Sequence, residues 1–406
     1  MTICEPVPPA PAGERPIDLP DGVPPLQAFY LYLSDSCNLA CRHCWITPRY
    51  VNGEPAPGSV IDVPALRAAV REARPMGLAR AKLTGGEPLL HPRFREIVDL
   101  LSAEGLNLDM ETNGTLLDAG TARYLRNETR LSFVSVSLDG ADAATHDGFR
   151  GVAGAFDAAL RGLDALVGAG YRNAQVIMAV HRGNREQVER VVRLAASRGA
   201  GSVKLNPVTN SGRGAAMHER GEALDFDERM ALARHVYDDL RPRLLAERLP
   251  VGLVLNTPLS LMPVGELMRR GGRTGDCGVL GILGLLGSGE IALCGIGRTV
   301  PELVYGRLGE TSIRELWLEH PTLLELRRAL GDVDGYPGIC GECALARRCR
   351  TGCVAQNWVD GRRMVWPDGL CAEADLRGAF PATRRRPRRE RPASGNPGAA
   401  DSGGTA

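Results

Sequence analysis

The chain has almost no net charge: across 406 residues, 49 lysines and arginines offset 48 aspartates and glutamates to leave +1. So weak a field favours neither nucleic acid nor acidic lipid as a general partner. No stretch reaches the roughly 18 consecutive apolar residues of a membrane span. The longest apolar piece, Val279 to Leu286, is short and broken by glycines. The amino terminus, MTICEPVPPAPAGERPIDLP, has no basic segment followed by an apolar one, so it does not read as a signal peptide. These absences point to a soluble, cytoplasmic protein that makes no use of membrane or nucleic acid. The length allows two domains and a substantial core.

Cysteine, by contrast, is plentiful and clustered. Of 11 cysteines, three lie at Cys37, Cys41 and Cys44, seven fall between Cys277 and Cys371, and only Cys4 stands apart. A secreted disulfide scaffold would be shorter and would need an export signal. Ten clustered thiols in a reducing compartment argue for metal instead, because thiolates in a tight loop at a strand end are soft metal ligands.

The apolar run at 28–33 predicts a first strand that delivers the cysteine loop. Further strands are expected at 81–84, 106–111, 131–138, 174–180 and 202–206, with apolar residues at helical spacing between them. Asp62-Val-Pro supplies an N-cap and an early proline for the first helix. Asp227 to about Arg241 predicts a later amphipathic helix that Pro242 ends or kinks, while 243–276 is of mixed composition. Polar groups gather where the predicted strands end: Gly85-Gly86-Glu87-Pro88, Glu111-Thr112-Asn113-Gly114, and Ser137 with Asp139-Gly140 and Arg150 downstream. In a βα barrel those ends form the mouth that binds ligand. Taken singly, a Gly-Gly before a helix and an Asn-Gly turn are ordinary loop signals, and Arg150 fits a solvated helix-start loop equally well.

Cys37-x3-Cys41-x2-Cys44 offers three thiolates, one short of a closed tetrahedral site. A [4Fe-4S] cube held this way leaves one iron free for a small molecule; a partial zinc site is the other reading. Together with the GGEP tetrad about 40 residues downstream, the loop resembles the radical S-adenosylmethionine (SAM) superfamily. The resemblance implies a partial (β/α)6 barrel in which Cys37, Cys41 and Cys44 hold the SAM cluster and Trp45 packs near adenine. It places Gly85, Gly86, Glu87 and Pro88 at the SAM amino group, Glu111 and Asn113 near ribose or substrate, and Ser137 and Arg150 beside the methionine moiety. It also implies reductive SAM cleavage to a 5'-deoxyadenosyl radical and an electron donor such as flavodoxin or ferredoxin. His43 and Asp147 are not promoted to a catalytic pair.

The later cysteines, in the order Cys277-x11-Gly289-x4-Cys294, then Cys340-x2-Cys343-x5-Cys349-x3-Cys353, then Cys371, resemble the SPASM extension of that superfamily. This implies two auxiliary [4Fe-4S] clusters: one on Cys340, Cys343, Cys349 and Cys371, the other on Cys277, Cys294 and Cys353. No cysteine precedes Cys277 in Arg270 to Asp276, so the second cluster has an open iron, a water or substrate ligand, or an oxygen ligand such as Asp276, or else is a smaller cluster or absent. Zinc on Cys340, Cys343, Cys349 and Cys371 is the local alternative.

The resulting expectation is an α/β protein with a loosely ordered lead-in (1–24), the barrel (25–220), a helical connector (221–276), the SPASM extension (277–378) and a disordered arginine-rich tail (379–406). The favoured activity is oxidative modification of a ribosomally made peptide, by cross-linking, with any leader recognition supplied by a separate protein because only 36 residues precede Cys37. Tetrapyrrole side-chain or small-molecule modification is the runner-up. Peptide epimerisation follows, disfavoured because only Cys4 is left as a thiol hydrogen donor, and a noncatalytic metal-bound interaction protein comes last.

Overall fold

The computed structural model describes residues 17–48, 50–51, 54–269, 271 and 278–386. Ten strands form one sheet: β1 (Ala28–Tyr32), β2 (Arg80–Thr84), β3 (Asn107–Thr112), β4 (Leu131–Ser137), β5 (Gln175–Val180), β6 (Ser202–Pro207), β7 (Gly252–Leu255), β8 (Ile282–Leu285), β9 (Glu290–Ala292) and β10 (Val304–Arg307). Their spatial order is β10-β9-β8-β1-β2-β3-β4-β5-β6-β7. From β8 through β7 all neighbours are parallel, and β9 and β10 are antiparallel additions at one edge.

All six strands expected from the sequence form, and in consecutive order. Between them run α1 (Val63–Ala73), α2 (Phe94–Ala103), α3 (Ala119–Glu128), α4 (Ala143–Arg150), α5 (Ala155–Gly168) and α6 (Val188–Ser197). Asp62 caps α1 as predicted, accepting a hydrogen bond from the Ala65 amide at 2.8 Å. Four strands, β7 to β10, were not foreseen as part of this sheet. The stretch 243–276 contains β7, which pairs with β6, and the glycine-turned hairpin at Gly289 sends β8 alongside β1. Neither partner is close in sequence, so local patterning carries no sign of the pairing.

The sheet has two chemically distinct faces. One presents Leu31, Leu83, Met110, Val134, Val176 and Leu205, all buried in the main core together with the apolar stripes of α1, α2, α5 and α6. The other carries Tyr30, Lys82, Glu111, Ser135, Gln175 and Lys204, which alternate with those residues along the strands. An apolar face can be covered by helices at a gain of about 25 cal/mol per Å² buried. On the polar face the residues pair with one another, Lys82 with Glu111 at 2.6 Å and Gln175 with Ser202 at 3.0 Å.

Two other predictions need correction. Of the two outcomes expected at Pro242, an end or a kink, the first does not occur in the helix α8 (Phe226–Arg234; α7 being Arg213–Glu219). It passes through a π-helical turn, His235–Leu240, into a further α-helical segment, Arg241–Ala246. Pro242 has no N–H to give the preceding turn, and the widened turn lets the chain continue. The carboxy-terminal stretch read as disordered from 379 is ordered through 386: Phe380 is buried, Ala382–Arg384 forms a 3-10 turn, and Arg385 bridges to Cys343. Residues 387–406 lie outside the described residues, as do 1–16. Residues 17–24 of the lead-in cross the end where the strands begin, with the Ile17 amide on Pro75 and the Trp317 indole N–H donating to the Pro24 carbonyl at 2.9 Å.

Candidate functional site

Beyond β1 the backbone runs beside the loop that follows β2 before it turns into the cysteines. The Gly86 amide donates to Ser34 O at 2.7 Å and the Glu87 amide to Ser36 O at 2.8 Å. Gly85 has φ +131°, and a Cβ on Gly86 would lie 2.0 Å from Ser36 O. What these glycines admit is therefore the backbone of the cysteine loop itself. Glu87, fully buried, turns its carboxylate towards β3: it accepts from Thr112 Oγ1 at 2.7 Å, from the Asn113 amide at 2.8 Å and from the Leu89 amide at 3.3 Å. Burial pushes its pKa up against those donors. Pro88 is buried at the start of the 3-10 turn Pro88–Leu90.

Two further contacts fix the loop. Ala40 and Arg42 donate their amides to Arg150 O and Phe149 O at 2.9 and 3.0 Å, at the end of α4. Opposite, the Arg213 amide reaches Cys44 O at 3.0 Å, while its guanidinium donates to Cys41 O at 3.0 Å and Pro48 O at 2.6 Å. Arg213 escaped the sequence reading; its only sign was a Ser-Gly-Arg-Gly run in a polar connector.

Cys37 and Cys41 are buried and Cys44 half-buried, all three within one small cluster with Leu39 and Ala155. Their sulfurs receive N–H donors, as ligating thiolates require: Leu39 N and Asn113 Nδ2 on Cys37 Sγ at 3.4 and 3.9 Å, and Arg150 Nη1 on Cys41 Sγ at 3.5 Å. Burial, with the Glu87 charge added, pushes the Cys37 thiol up to about 12. Burial likewise raises Cys41, opposed by Arg150. Loading a metal here must therefore release protons.

Arg150 is buried and not solvated. Its Nε stands 2.6 Å from Asp139 Oδ2, and Asp139 also accepts the Ala179 amide at 2.7 Å. Burial is the largest single effect and acts to raise the Asp139 pKa, but the Arg150 guanidinium together with His43, His146 and the Ala179 amide holds the carboxyl below its usual range. His43 stacks on Phe149 at 4.6 Å, and Phe149 on His181 at 4.2 Å. Burial lowers His43 and His146 to about 4, so both imidazoles stay neutral. Asp147 accepts the amides of Gly154 and Phe156, a structural role in the turn before α5.

The other predicted residues are spread over the polar face. Glu111 pairs with Lys82 at 2.6 Å, and Lys204 adds positive charge nearby; together they hold the Glu111 carboxyl below its usual range against burial. Asn113 links Glu87, Cys37 and Asn38. Ser137 lies at the end of β4, in register with Ile177 of β5. Trp45 stands edge-on to Tyr32 with centroids 5.8 Å apart, and Gly295 packs so closely on both rings that a Cβ there would fall 2.3 Å from Tyr32 Cζ and 2.5 Å from Trp45 Cη2. The aromatic pair thus joins the first cysteine loop to the turn at Cys294.

Cys343 and Cys371 share a second core with Tyr336, Leu370 and Phe380, and Cys340 packs against it. Burial raises Cys340 to about 12, with Cys349 and Cys343 close enough to add to the shift, and Cys371 is raised by burial with Asp368, Cys349 and Cys340 contributing. The four thiols thus lie within electrostatic reach of one another. Ser260 Oγ lies 3.1 Å from Cys371 Sγ, and the Leu345 amide donates to Cys343 Sγ at 3.3 Å. Cys353 is exposed at the start of the helix Val354–Gly361, and Cys294 opens the turn Gly295–Arg298. Cys277 and Asp276 lie outside the described residues. Among the described residues no disulfide forms, and no three Cys, His, Asp or Glu side chains converge as ligands of a single ion. A four-iron cube places each thiolate on a different iron and sets its sulfurs wider apart than one ion would.

Residues 31–195 match the model of the Radical SAM superfamily. The AdoMet-dependent heme synthase of Nitratidesulfovibrio vulgaris is 28% identical over 377 residues, spanning 89% of this chain and 96% of its own. The mycofactocin maturase MftC of Mycobacterium ulcerans is 28% identical over 377 residues, spanning 88% of this chain and 90% of its own. Among solved structures, anSMEcpe with bound AdoMet and the Cp18Cys peptide has a similar fold, with a TM-score of 0.65 at 16% identity, covering 87% of this chain and 95% of that one.

Proposed function

We propose, from the premise that residues 31–195 form a radical SAM superfamily domain, that this enzyme binds SAM and oxidatively modifies a ribosomally made peptide, by cross-linking. The observation that carries the reading is the gathering of three buried or half-buried thiols at the C-terminal end of β1, with N–H donors already on two sulfurs and the GGEP loop hydrogen-bonded alongside. That donor set fits a [4Fe-4S] cube with one open iron. A cluster and SAM, when bound there, supply a 5'-deoxyadenosyl radical.

The chain's own residues do the positioning. Cys37, Cys41 and Cys44 would hold the cluster, with Arg213 and the end of α4 fixing their loop. Glu87 locks the GGEP loop to β3, so that its contribution at the SAM amino group comes from the loop's backbone. Glu111, Asn113 and Ser137 lie towards the mouth of the polar sheet face, where ribose or substrate would sit, while Trp45 and Tyr32 screen one side from water. The sheet from β1 to β6 serves as the partial (β/α)6 barrel of 25–220, and β7 extends it. Residues 277–378 are assigned as a SPASM extension. In it Cys340, Cys343, Cys349 and Cys371 would hold one auxiliary [4Fe-4S] cluster, and Cys277, Cys294 and Cys353 a second. A flavodoxin or ferredoxin would donate the electron.

The peptide reading is supported by the mycofactocin maturase relatives and by the fold shared with a peptide-bound anSMEcpe. The heme synthase relatives, similar over as much of the chain, favour a tetrapyrrole as the second reading. Inspection of the genes beside this one for a short peptide gene or for porphyrin-processing genes, followed by anaerobic incubation with SAM, reductant and the corresponding peptide or porphyrin, separates them. A peptide product lighter by about 2 Da marks one two-electron cross-link. Unchanged mass with solvent deuterium uptake marks epimerisation, and turnover of the porphyrin alone overturns the peptide assignment.

A further inference from the structure

The arginine run at 384–386 closes over the loop of Cys340 and Cys343. The Ala344 amide donates to Arg384 O at 2.8 Å and the Arg386 amide to Glu342 O at 2.6 Å, so the strap pairs with the cysteine loop on both sides of Cys343, opposite Arg385. Phe380 anchors the approach within the core that holds Cys343 and Cys371. Arg385 is spent on structure: it pairs with Glu342 at 2.7 Å and with Asp375, and lies over the Phe380 ring.

The two flanking arginines are used differently. Arg386 donates to Gly341 O at 3.2 Å and stands 3.6 Å from the exposed Asp334, while Arg384 donates to Met262 O at 3.4 Å and, among the described residues, keeps a buried Nε with no partner. Gly341 lies between Cys340 and Cys343, and Met262 follows by two residues Ser260, whose hydroxyl meets Cys371, so both guanidinium groups are held beside the cysteine loops. Asp368 caps the helix that carries Cys371, accepting the Leu370 amide at 2.9 Å.

Resting on the reading that Cys340, Cys343, Cys349 and Cys371 hold an iron–sulfur cluster, we infer that the Arg384–Arg386 strap is a built-in electrostatic clasp that sets this cluster's reduction potential. Four thiolates around the cube leave it negatively charged in both oxidation states, and reduction adds one more electron. A nearby fixed cation therefore stabilises the reduced form more than the oxidised form and raises the potential. Arg384 and Arg386 are positioning residues in this scheme, acting through Cys343.

The test uses full-length protein carrying Cys37→Ala, Cys41→Ala and Cys44→Ala, reconstituted anaerobically and titrated with EPR detection, so that only C-terminal clusters report. Adding R384Q and R386Q is expected to leave iron content unchanged. One reduction wave should move to more negative potential by about tenfold in its equilibrium, about 59 mV for one electron, and R384K with R386K should restore it. Unmoved waves at full iron content overturn the clasp, as does an equal shift in the lysine variant. If the double glutamine variant does not accumulate, R386Q alone gives the same comparison, since among the described residues its guanidinium contacts Gly341 O and an exposed aspartate. A parent that takes up no C-terminal iron refutes the underlying cluster reading instead, a result separate from either outcome for the strap.

Discussion

Gly86→Ala tests how the cysteine loop is held. The new Cβ would sit 2.0 Å from Ser36 O, a backbone atom, where real Cβ contacts do not fall below 3.0 Å, so the two backbones must part by about 1 Å. Parting them loosens the Gly86-to-Ser34 and Glu87-to-Ser36 hydrogen bonds, each contributing about 1 kcal/mol. Overpacking costs a further 1–3 kcal/mol or so. The sum, about 3–5 kcal/mol, is a large share of a domain's total stability. Gly148→Ala is the matched control: it lies inside α4, a Cβ there meets nothing within 4 Å, and the change should be stabilising by up to about 1 kcal/mol. Denaturant midpoints of the two variants, with iron content and 5'-deoxyadenosine formation after reconstitution, provide the comparison. Gly86→Ala should lose the first-loop iron and SAM cleavage while the C-terminal iron remains. Native stability and native cleavage in Gly86→Ala would refute the account of why this position is glycine.

Three more outcomes follow from the site. Reconstituted protein should hold about 8 iron atoms if one auxiliary site fills and about 12 if both do; stoichiometric zinc without iron would instead indicate a zinc-stapled module. Replacing Cys37, Cys41 and Cys44 together with alanine should abolish 5'-deoxyadenosine formation yet leave iron on the extension, and cleavage at the native rate would remove the assignment of that loop. His146, buried and lowered to about 4 by desolvation, is neutral in the fold but takes a proton near pH 6.5 when unfolded. Its contribution to stability is therefore full above about pH 6.5 and falls towards pH 4, by at most about 1.4 kcal/mol per pH unit. His146→Gln should flatten the slope of unfolding free energy across that window, and an unchanged slope would contradict a neutral buried imidazole.

The sequence by itself determined the elements and the chemistry of the donors. Strand alternation, the Asp62 cap and the spacing of Cys37, Cys41 and Cys44 are local properties, written within a few residues of where they act. Tertiary structure alone decided where the side chains point. Arg150 reads equally as a solvated residue of a helix-start loop and as a ligand-side group, and only the structure shows it buried against Asp139 and Cys41, 11 and 109 positions away in the chain. Glu87 reads as part of a ligand-facing tetrad, yet β3 takes both its oxygens. Arg213 and the strap at 384–386 sit in polar stretches with no periodicity, and become parts of metal-site candidates only because the chain returns to those loops. The joining of β7 and β8 to the sheet has the same cause. Pairing across such separations depends on which apolar faces are buried together, and no window of neighbouring residues contains that information.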